Sequence, residues 1–326
     1  MGLLLRTIGR FTVSVVSLAV VVSVLDVSTV LRRFTELAFF WVALGLAITV
    51  FQMLILAWRW RYTARKLGID LPLRTAVNEY YLGVLINQLL PGGIAGDLSR
   101  AWRLARSSAP TGRAVRAVVL ERASAQVVMT TVALTSLLFL PMGSGLARVL
   151  TAGIGLLGLG GVLLFGLRRA TPTSITGQTW LDMRRAFFNG KALPVQLLTA
   201  ISVVGLYLIL YLITSRAVGV TTPMPQLLPL VAPVLMAMLI PFTVAGWGVR
   251  EGVAAMLWSL AGLTPEEGVA ISVAYGLLVL VSTIPGVPIL ILTLTEARSR
   301  RAHPCRGRTA GKGSAAPPLE SARDQE

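Results

Sequence analysis

Long stretches without a single charge decide what this chain can become. They run Leu37–Trp58, Ala123–Ala147, Val149–Leu167, Ala192–Ser215, Ala217–Val249 and Gly268–Thr295. Most reach or exceed the ~20 residues a helix needs to cross a bilayer. A soluble domain could not carry a composition that is 55% hydrophobic and 13% charged, because its surface must be covered by polar groups. The sequence is that of an all-α polytopic membrane protein.

The N-terminus adds Arg6 and Arg10 ahead of an uncharged run from Phe11 to Leu25. No small-residue cleavage site follows, so the run reads as a retained first span. The last residues, 298–326, are poor in apolar side chains and rich in Gly, Pro and Ser. They read as a disordered basic cytoplasmic tail. Residues 1–297 then form one transmembrane domain. The only histidine, His303, and the only cysteine, Cys305, lie in the tail. That removes an intrachain disulfide, histidine catalysis and a His/Cys metal site in the membrane.

The formal charge of +16 does not point to nucleic acid, because the basic residues cluster in short segments beside the apolar runs. There they orient the chain and meet anionic headgroups. Arg59–Arg74 carries five basic residues against Asp70, and Arg168–Lys191 five against Asp182. Both are expected on the cytoplasmic side with the two termini. Asp26–Glu36 balances to zero, Pro141–Arg148 has one Arg, and Leu263–Gly268 holds Glu266 and Glu267. Those belong outside.

One stretch conflicts with a simple crossing. "NQLLPGGIAGDLSRAWRLAR", Asn87–Arg106, follows the basic Arg59–Arg74 and precedes Arg113 and Arg116. A full span between two strongly basic loops breaks the charge rule. A re-entrant segment resolves it: Ala76–Leu90 enters from the inside, turns at "PGGIAG" and returns. Broken backbone at that depth is tolerated where it is buried in protein or lines a wet cavity.

The break recurs. "LIPFTVAGWGVREG" places Pro241, Ala245, Gly246 and Arg250 where the first stretch has Pro91, Ala95, Gly96 and Arg100, at a constant offset of 150. The surrounding order of span, span, broken segment, span repeats as well. About six full spans and two re-entrant or broken segments are expected, in two half-repeats of roughly 1–147 and 148–297. Three crossings per half would turn the second half upside down, an inverted-topology repeat of the kind that builds midplane sites in transporters.

Arginine inside the membrane is costly unless paired or facing water. A planar cation beside a helix N-terminus is a receptor for phosphate. Arg100 and Arg250 are therefore candidate headgroup ligands. Asp97 reads as a helix N-cap or a partner for them, and Arg103 and Arg106 as a solvated helix face. Glu121, beside Arg122, can anchor an interface or pair with an arginine of the broken segment, relaxing when an anionic substrate displaces it. Arg250 and Glu251 each need a partner. Asn87 and Gln88 can donate to carbonyls left unpaired by Pro91, which suits capping of the break, or to a headgroup. Glu79, Tyr80 and Tyr81 enter the broken segment, and the two tyrosines read as an interfacial belt. The glycines are no nucleotide loop, since no Gly-Lys-Ser/Thr follows them.

Together, "NQLLPGGIAGDLSRAWRL", then "LERASAQ", then "PFTVAGWGVREG" resemble the flippase-like transmembrane domain family. That family includes the membrane half of lysylphosphatidylglycerol synthases and stand-alone proteins linked to hopanoid and glycolipid pathways. The resemblance extends to about Ala297. Its most specific part is Asn87, Pro91, Gly96, Asp97 and Arg100, followed by Glu121–Arg122 and by Gly248, Arg250 and Glu251. It implies a stand-alone membrane domain, without an aminoacyl-transferase domain, that moves or helps move a lipid with a polar head between leaflets.

The resulting expectation is a cell-membrane protein that translocates an anionic phospholipid or a polyprenyl-phosphate type of lipid. It has no catalytic residue, metal or cofactor and no nucleic-acid partner. Arg100, Arg250, Asp97, Asn87, Glu121, Arg122 and Glu251 are the candidate binding residues. No ATP-binding motif is present, so movement is passive, ion-coupled or driven by lipid synthesis on one face. Two other classes stay open: a scaffold for a separate lipid-modifying enzyme, and a transferase or phosphatase on polyprenyl-linked lipid. The second lacks an acidic cluster to hold Mg²⁺.

Overall fold

A computed structural model describes residues 27–35, 37–90, 93–107, 109–140, 175–239 and 245–302, with Thr12, Ala19, Ser23, Gly153 and Gly155 as isolated positions. Apart from those isolated positions, the expected spans Phe11–Leu25 and Val149–Leu167 lie outside the described residues, as does the tail from His303 onward. Within them the chain is all helical. The first set is α1 (Val27–Thr35), α2 (Phe39–Lys66), α3 (Leu73–Leu89), α4 (Ala95–Ser107) and α5 (Thr111–Ser136). There follow α6 (Ile175–Phe188), α7 (Ala192–Ala217), α8 (Met224–Met236), α9 (Val249–Leu260), α10 (Pro265–Ser282) and α11 (Gly286–Ala302). Four of these, α2, α5, α7 and α10, are long and apolar enough to cross a membrane. Residues 288–326 form a unit of their own, whose described part is the rest of α11.

Helices α2 and α7 pack along each other in opposite directions. The Ala38 N–H donates to the Ala217 carbonyl at 3.0 Å, Gln52 Nε2 to the Val203 carbonyl at 3.4 Å, and Gln196 Nε2 to Thr63 Oγ1 at 2.9 Å. One set of numbers rises while the other falls, so the pair is antiparallel throughout. Near the Ala38–Ala217 end, Arg33 of α1 pairs with Glu267 of α10 at 2.7 Å, and Thr222 donates to the same carboxylate. Elsewhere Arg116, early in α5, pairs with Asp182 of α6 at 2.7 Å. Segments that charge alone assigns to a common side therefore meet one another.

The first break is an antiparallel helical hairpin. Asn87 Oδ1 accepts the Gly96 N–H at 2.7 Å, and Glu79 near the start of α3 pairs with Arg103 of α4. Between these two ties, a Cβ on Gly96 would overlap the Gly83 carbonyl oxygen, so only glycine lets the helices lie this close. The turn contains Gly93 at φ +63°, a left-handed backbone that glycine adopts without strain. The second break lies between α8 and α9. A 3₁₀ turn, Ala237–Leu239, extends α8, and the chain re-emerges at Ala245 with φ +50°, followed by Gly246 at φ +82°. Pro91 and Pro241 both fall outside the described residues.

The order α2, α3/α4, α5 is matched by α7, α8/α9, α10, and the contacts follow suit: α3 packs on α4 and α4 on α5, as α8 packs on α9 and α9 on α10. Two sequence expectations change. The uncharged run Gly268–Thr295 is two helices, because Pro285 cannot donate to a continuing helix and the chain turns through 283–285. Arg59, Arg61 and Arg65 are not in a loop. Helix α2 continues to Lys66, about 40 Å at 1.5 Å per residue.

Candidate functional site

Five charged side chains from three helices meet beside the first hairpin. Arg59 comes from α2, Asp97 and Arg100 from α4, and Glu121 and Arg122 from α5. Asp97 joins two of the cations: its Oδ1 accepts from Arg100 at 2.5 Å, and its Oδ2 lies 2.8 Å from Arg122 Nη2. Glu121 stands between the other pair, 3.7 Å from Arg100 Nη2 and 3.9 Å from Arg59 Nη1. Arg59 also donates to Ser124. The Arg100 guanidinium lies over Tyr80 at 4.1 Å and Trp60 at 4.8 Å, an arrangement favoured by the ring quadrupoles. Its stem crosses Gly83, where a Cβ would lie 3.0–3.3 Å from it.

Three cations against two carboxylates leave one positive charge over. Arg59, Arg100 and Glu121 are all essentially buried, at 0–1% exposure. Arg59 Nε and Nη1, Arg100 Nη1, Arg122 Nε and Glu121 Oε2 are buried without a hydrogen-bond partner. Buried donors left unmatched are costly, and a surplus of guanidinium donors is the chemistry that receives a phosphate or carboxylate.

Glu121 and Arg122 open onto a cavity of about 230 Å³. Its wall is shared between the two halves of the chain. Tyr80, Asn87 and Gln126 come from the first, and Tyr207, Met238 and Tyr275 from the second. Among the described residues no group of three His, Cys, Asp or Glu side chains is placed to hold a metal ion.

The second break has its own cluster, and it is closed. Arg250 Nη2 pairs with Glu251 Oε1 at 2.6 Å, its Nε reaches Ser272 Oγ at 2.8 Å, and that hydroxyl donates to Glu251 at 3.0 Å. Glu251 Oε2 accepts the Gly248 N–H at 2.7 Å, capping α9 from inside its own first turn. Gly248 itself has φ +88°. Arg250 touches Met238 Sδ and the rings of Trp247 and Tyr275. Met238 and Tyr275 line the cavity, whereas Arg250 and Glu251 stand behind it.

Of the candidate residues, Asp97, Arg100, Glu121 and Arg122 thus come together, with Asn87 at the cavity wall and Arg250–Glu251 in a separate pair. Several roles differ from the expected ones. Asp97 is the third residue of α4, not its N-cap; Asn87 caps that helix from α3. Arg103 is tied to Glu79 rather than solvated, and only Arg106 stays on the exposed face, over Trp102. Tyr80 is no interfacial residue, being 2% exposed and under Arg100. Sequence reasoning missed Arg59 altogether by placing it in a loop. The signal was present: Thr49, Gln52, Leu56, Arg59 and Thr63 recur at helical spacing, and all five are buried.

The family model described as Lysylphosphatidylglycerol synthase TM region matches residues 7–286, a range that contains both clusters and the whole cavity wall. No curated protein matches the chain.

Proposed function

The chain belongs to the lysylphosphatidylglycerol synthase transmembrane region family, and on that premise we propose that it moves a lipid with an anionic, phosphate-bearing head between bilayer leaflets. The observation that carries this reading is the cationic surplus of buried Arg59 and Arg100 with half-exposed Arg122, which opens onto a cavity walled by both halves. The cavity lies below the usual ~300–1,000 Å³ of small-molecule sites, which suits a headgroup while the acyl chains stay in lipid. In this reading Arg122 and Arg100 receive the phosphate. Asp97 and Glu121 hold them in its absence and yield when it arrives, so charge is balanced in both states.

The antiparallel run of α2 and α7, which occupy equivalent places in the repeated element order, supports an inverted-topology repeat. The hairpin α3–α4 is then a re-entrant segment, and rocking of one half against the other exposes the site alternately. The protein sits in the cell membrane with its basic segments and both termini cytoplasmic. It performs no bond-making step, and a separate lipid-modifying enzyme on one face would supply or consume its lipid. A pure scaffold would leave the buried cationic surplus without a task.

The test is leaflet exchange in proteoliposomes carrying tail-labelled phosphatidic acid, phosphatidylglycerol, a short polyprenyl phosphate and phosphatidylcholine. The anionic lipids should exchange faster than phosphatidylcholine, and Arg122→Gln and Arg100→Gln should each slow them at least about tenfold, the loss of one charge-assisted contact. Exchange no faster than in protein-free vesicles, with the protein folded, would overturn the proposal.

A further inference from the structure

We infer that the headgroup taken by this cavity carries several hydroxyls beside its phosphate: a polyol or sugar phosphate, not a bare phosphate or a phospho-amine. The inference rests on the translocation reading above and names its substrate class.

The wall offers more than a phosphate can use. Beside Arg122 and Glu121 it presents Gln88, Gln126, Tyr80, Tyr207 and Tyr275. None of these five side chains hydrogen-bonds to another described residue. A side-chain amide brings two N–H donors and a carbonyl acceptor, and a tyrosine hydroxyl both donates and accepts. An ionised phosphate ester is an acceptor only, so it is served by the arginine donors and leaves the amide carbonyls and phenol oxygens idle. Polar groups that lose water without gaining a partner weaken binding.

An ammonium could use those acceptors, but the local charge opposes it. Arg59, Arg100 and Arg122 outnumber Asp97 and Glu121, and both carboxylates are already engaged by the arginines. An amine head would therefore enter a site with an excess of its own sign. Hydroxyls carry no charge, donate and accept at once, and match an amide or phenol at each position. Gln88 lies on α3, Gln126 on α5, Tyr207 on α7 and Tyr275 on α10. A ring or chain of hydroxyls would thus be contacted from four helices, two in each half. A site built to bond a hydroxyl rejects the analogue that lacks it far better than an apolar pocket tells two sizes apart.

The experiment compares tail-matched labelled lipids in proteoliposomes: phosphatidylinositol, phosphatidylglycerol, phosphatidic acid and phosphatidylethanolamine. Exchange should fall in that order, with phosphatidylinositol ahead of phosphatidic acid by at least about tenfold. The double variant Gln88→Leu/Gln126→Leu should bring that ratio below about threefold, each lost amide removing one net hydrogen bond. Soluble inositol 1-phosphate should slow exchange more than inorganic phosphate does, which separates recognition of the head from recognition of the lipid as a whole. Equal exchange of phosphatidic acid and phosphatidylinositol, or a ratio untouched by the double variant, overturns the inference while leaving translocation standing. Absence of exchange for every lipid overturns both.

Discussion

Gly83 and Gly96 face each other where α3 and α4 lie at a distance that only glycine at position 96 allows, since a Cβ on Gly96 would overlap the Gly83 carbonyl oxygen and come within 2.9 Å of its Cα. The obstacle is backbone, so no rotamer change relieves it. Gly96→Ala must therefore spread the hairpin that presents Asp97 and Arg100. The expected cost is at least ~2–3 kcal/mol, the upper range for overpacking, read as a lower thermal midpoint in detergent. Gly93→Ala is the control: it has open space around it and only a left-handed φ, worth ~1–2 kcal/mol. A Gly96→Ala protein as stable as wild type would contradict the hairpin.

Glu121 should be the keystone of the first cluster, because it is the carboxylate that faces Arg59 and it also lies within 4 Å of Arg100, whose closer partner is Asp97. Removing one partner of a buried ion pair leaves the other charge uncompensated, typically ~3–5 kcal/mol. Glu121→Gln is expected to lose stability on that scale. Adding Arg59→Gln should recover part of it, since the surplus cation goes as well. A double-mutant cycle with a coupling of ~1–3 kcal/mol would establish the contact. Strict additivity would show that the two side chains act independently.

Why the first cluster was half legible follows from what sequence spacing encodes. Asp97, Arg100, Glu121 and Arg122 stand out because charge is rare beside apolar runs, and the glycines marked a break that the charge rule also demanded. Arg59 was hidden by the same logic. Counting charges ended the span at Trp58, whereas a helix lengthened by backbone hydrogen bonds goes on through buried Arg59 to Lys66. Tyr80 and Tyr207 were hidden for another reason: tyrosine is common at membrane interfaces, and only packing shows that these two face a cavity. The second-half pair was seen, yet its partner Ser272 lies 22 positions from Arg250 on a different helix, and no local pattern links them.

The closed second cluster should matter for folding more than for lipid selectivity. Glu251 joins Arg250, Ser272 and the Gly248 N–H, so one carboxylate braces the start of α9 against α10. Glu251→Gln is expected to lower stability by ~3–5 kcal/mol through the orphaned guanidinium. Ser272→Ala removes a neutral hydroxyl and should cost only ~1 kcal/mol. Gly276→Ala should act like the glutamate variant, because its Cβ would collide with Arg250 Nη2 and with the Trp247 ring. Thermal unfolding of the three variants ranks them, and a serine variant as damaging as the glutamate one would assign the brace to Ser272 instead.

The ion pairs also predict sidedness. Arg33–Glu267 ties α1 to the start of α10, near the end of the bundle where Ala38 meets Ala217. Asp182 of α6 holds Arg116 ten residues before α7 begins at Ala192, and Gln196 meets Thr63 at the start of that helix. Because α2 and α7 are antiparallel along their length, these contacts belong to opposite faces if α7 crosses the membrane. In a Cys305→Ser background, Thr264→Cys and Asn189→Cys place single thiols on two exposed turns. A membrane-impermeant maleimide applied to intact cells should label Thr264→Cys and leave Asn189→Cys unlabelled until the membrane is opened, given the basic segment around Asn189. Labelling of both from outside would break the antiparallel crossing. The reverse pattern would keep the crossing and invert the protein in its membrane, turning the basic segments outward against the charge rule.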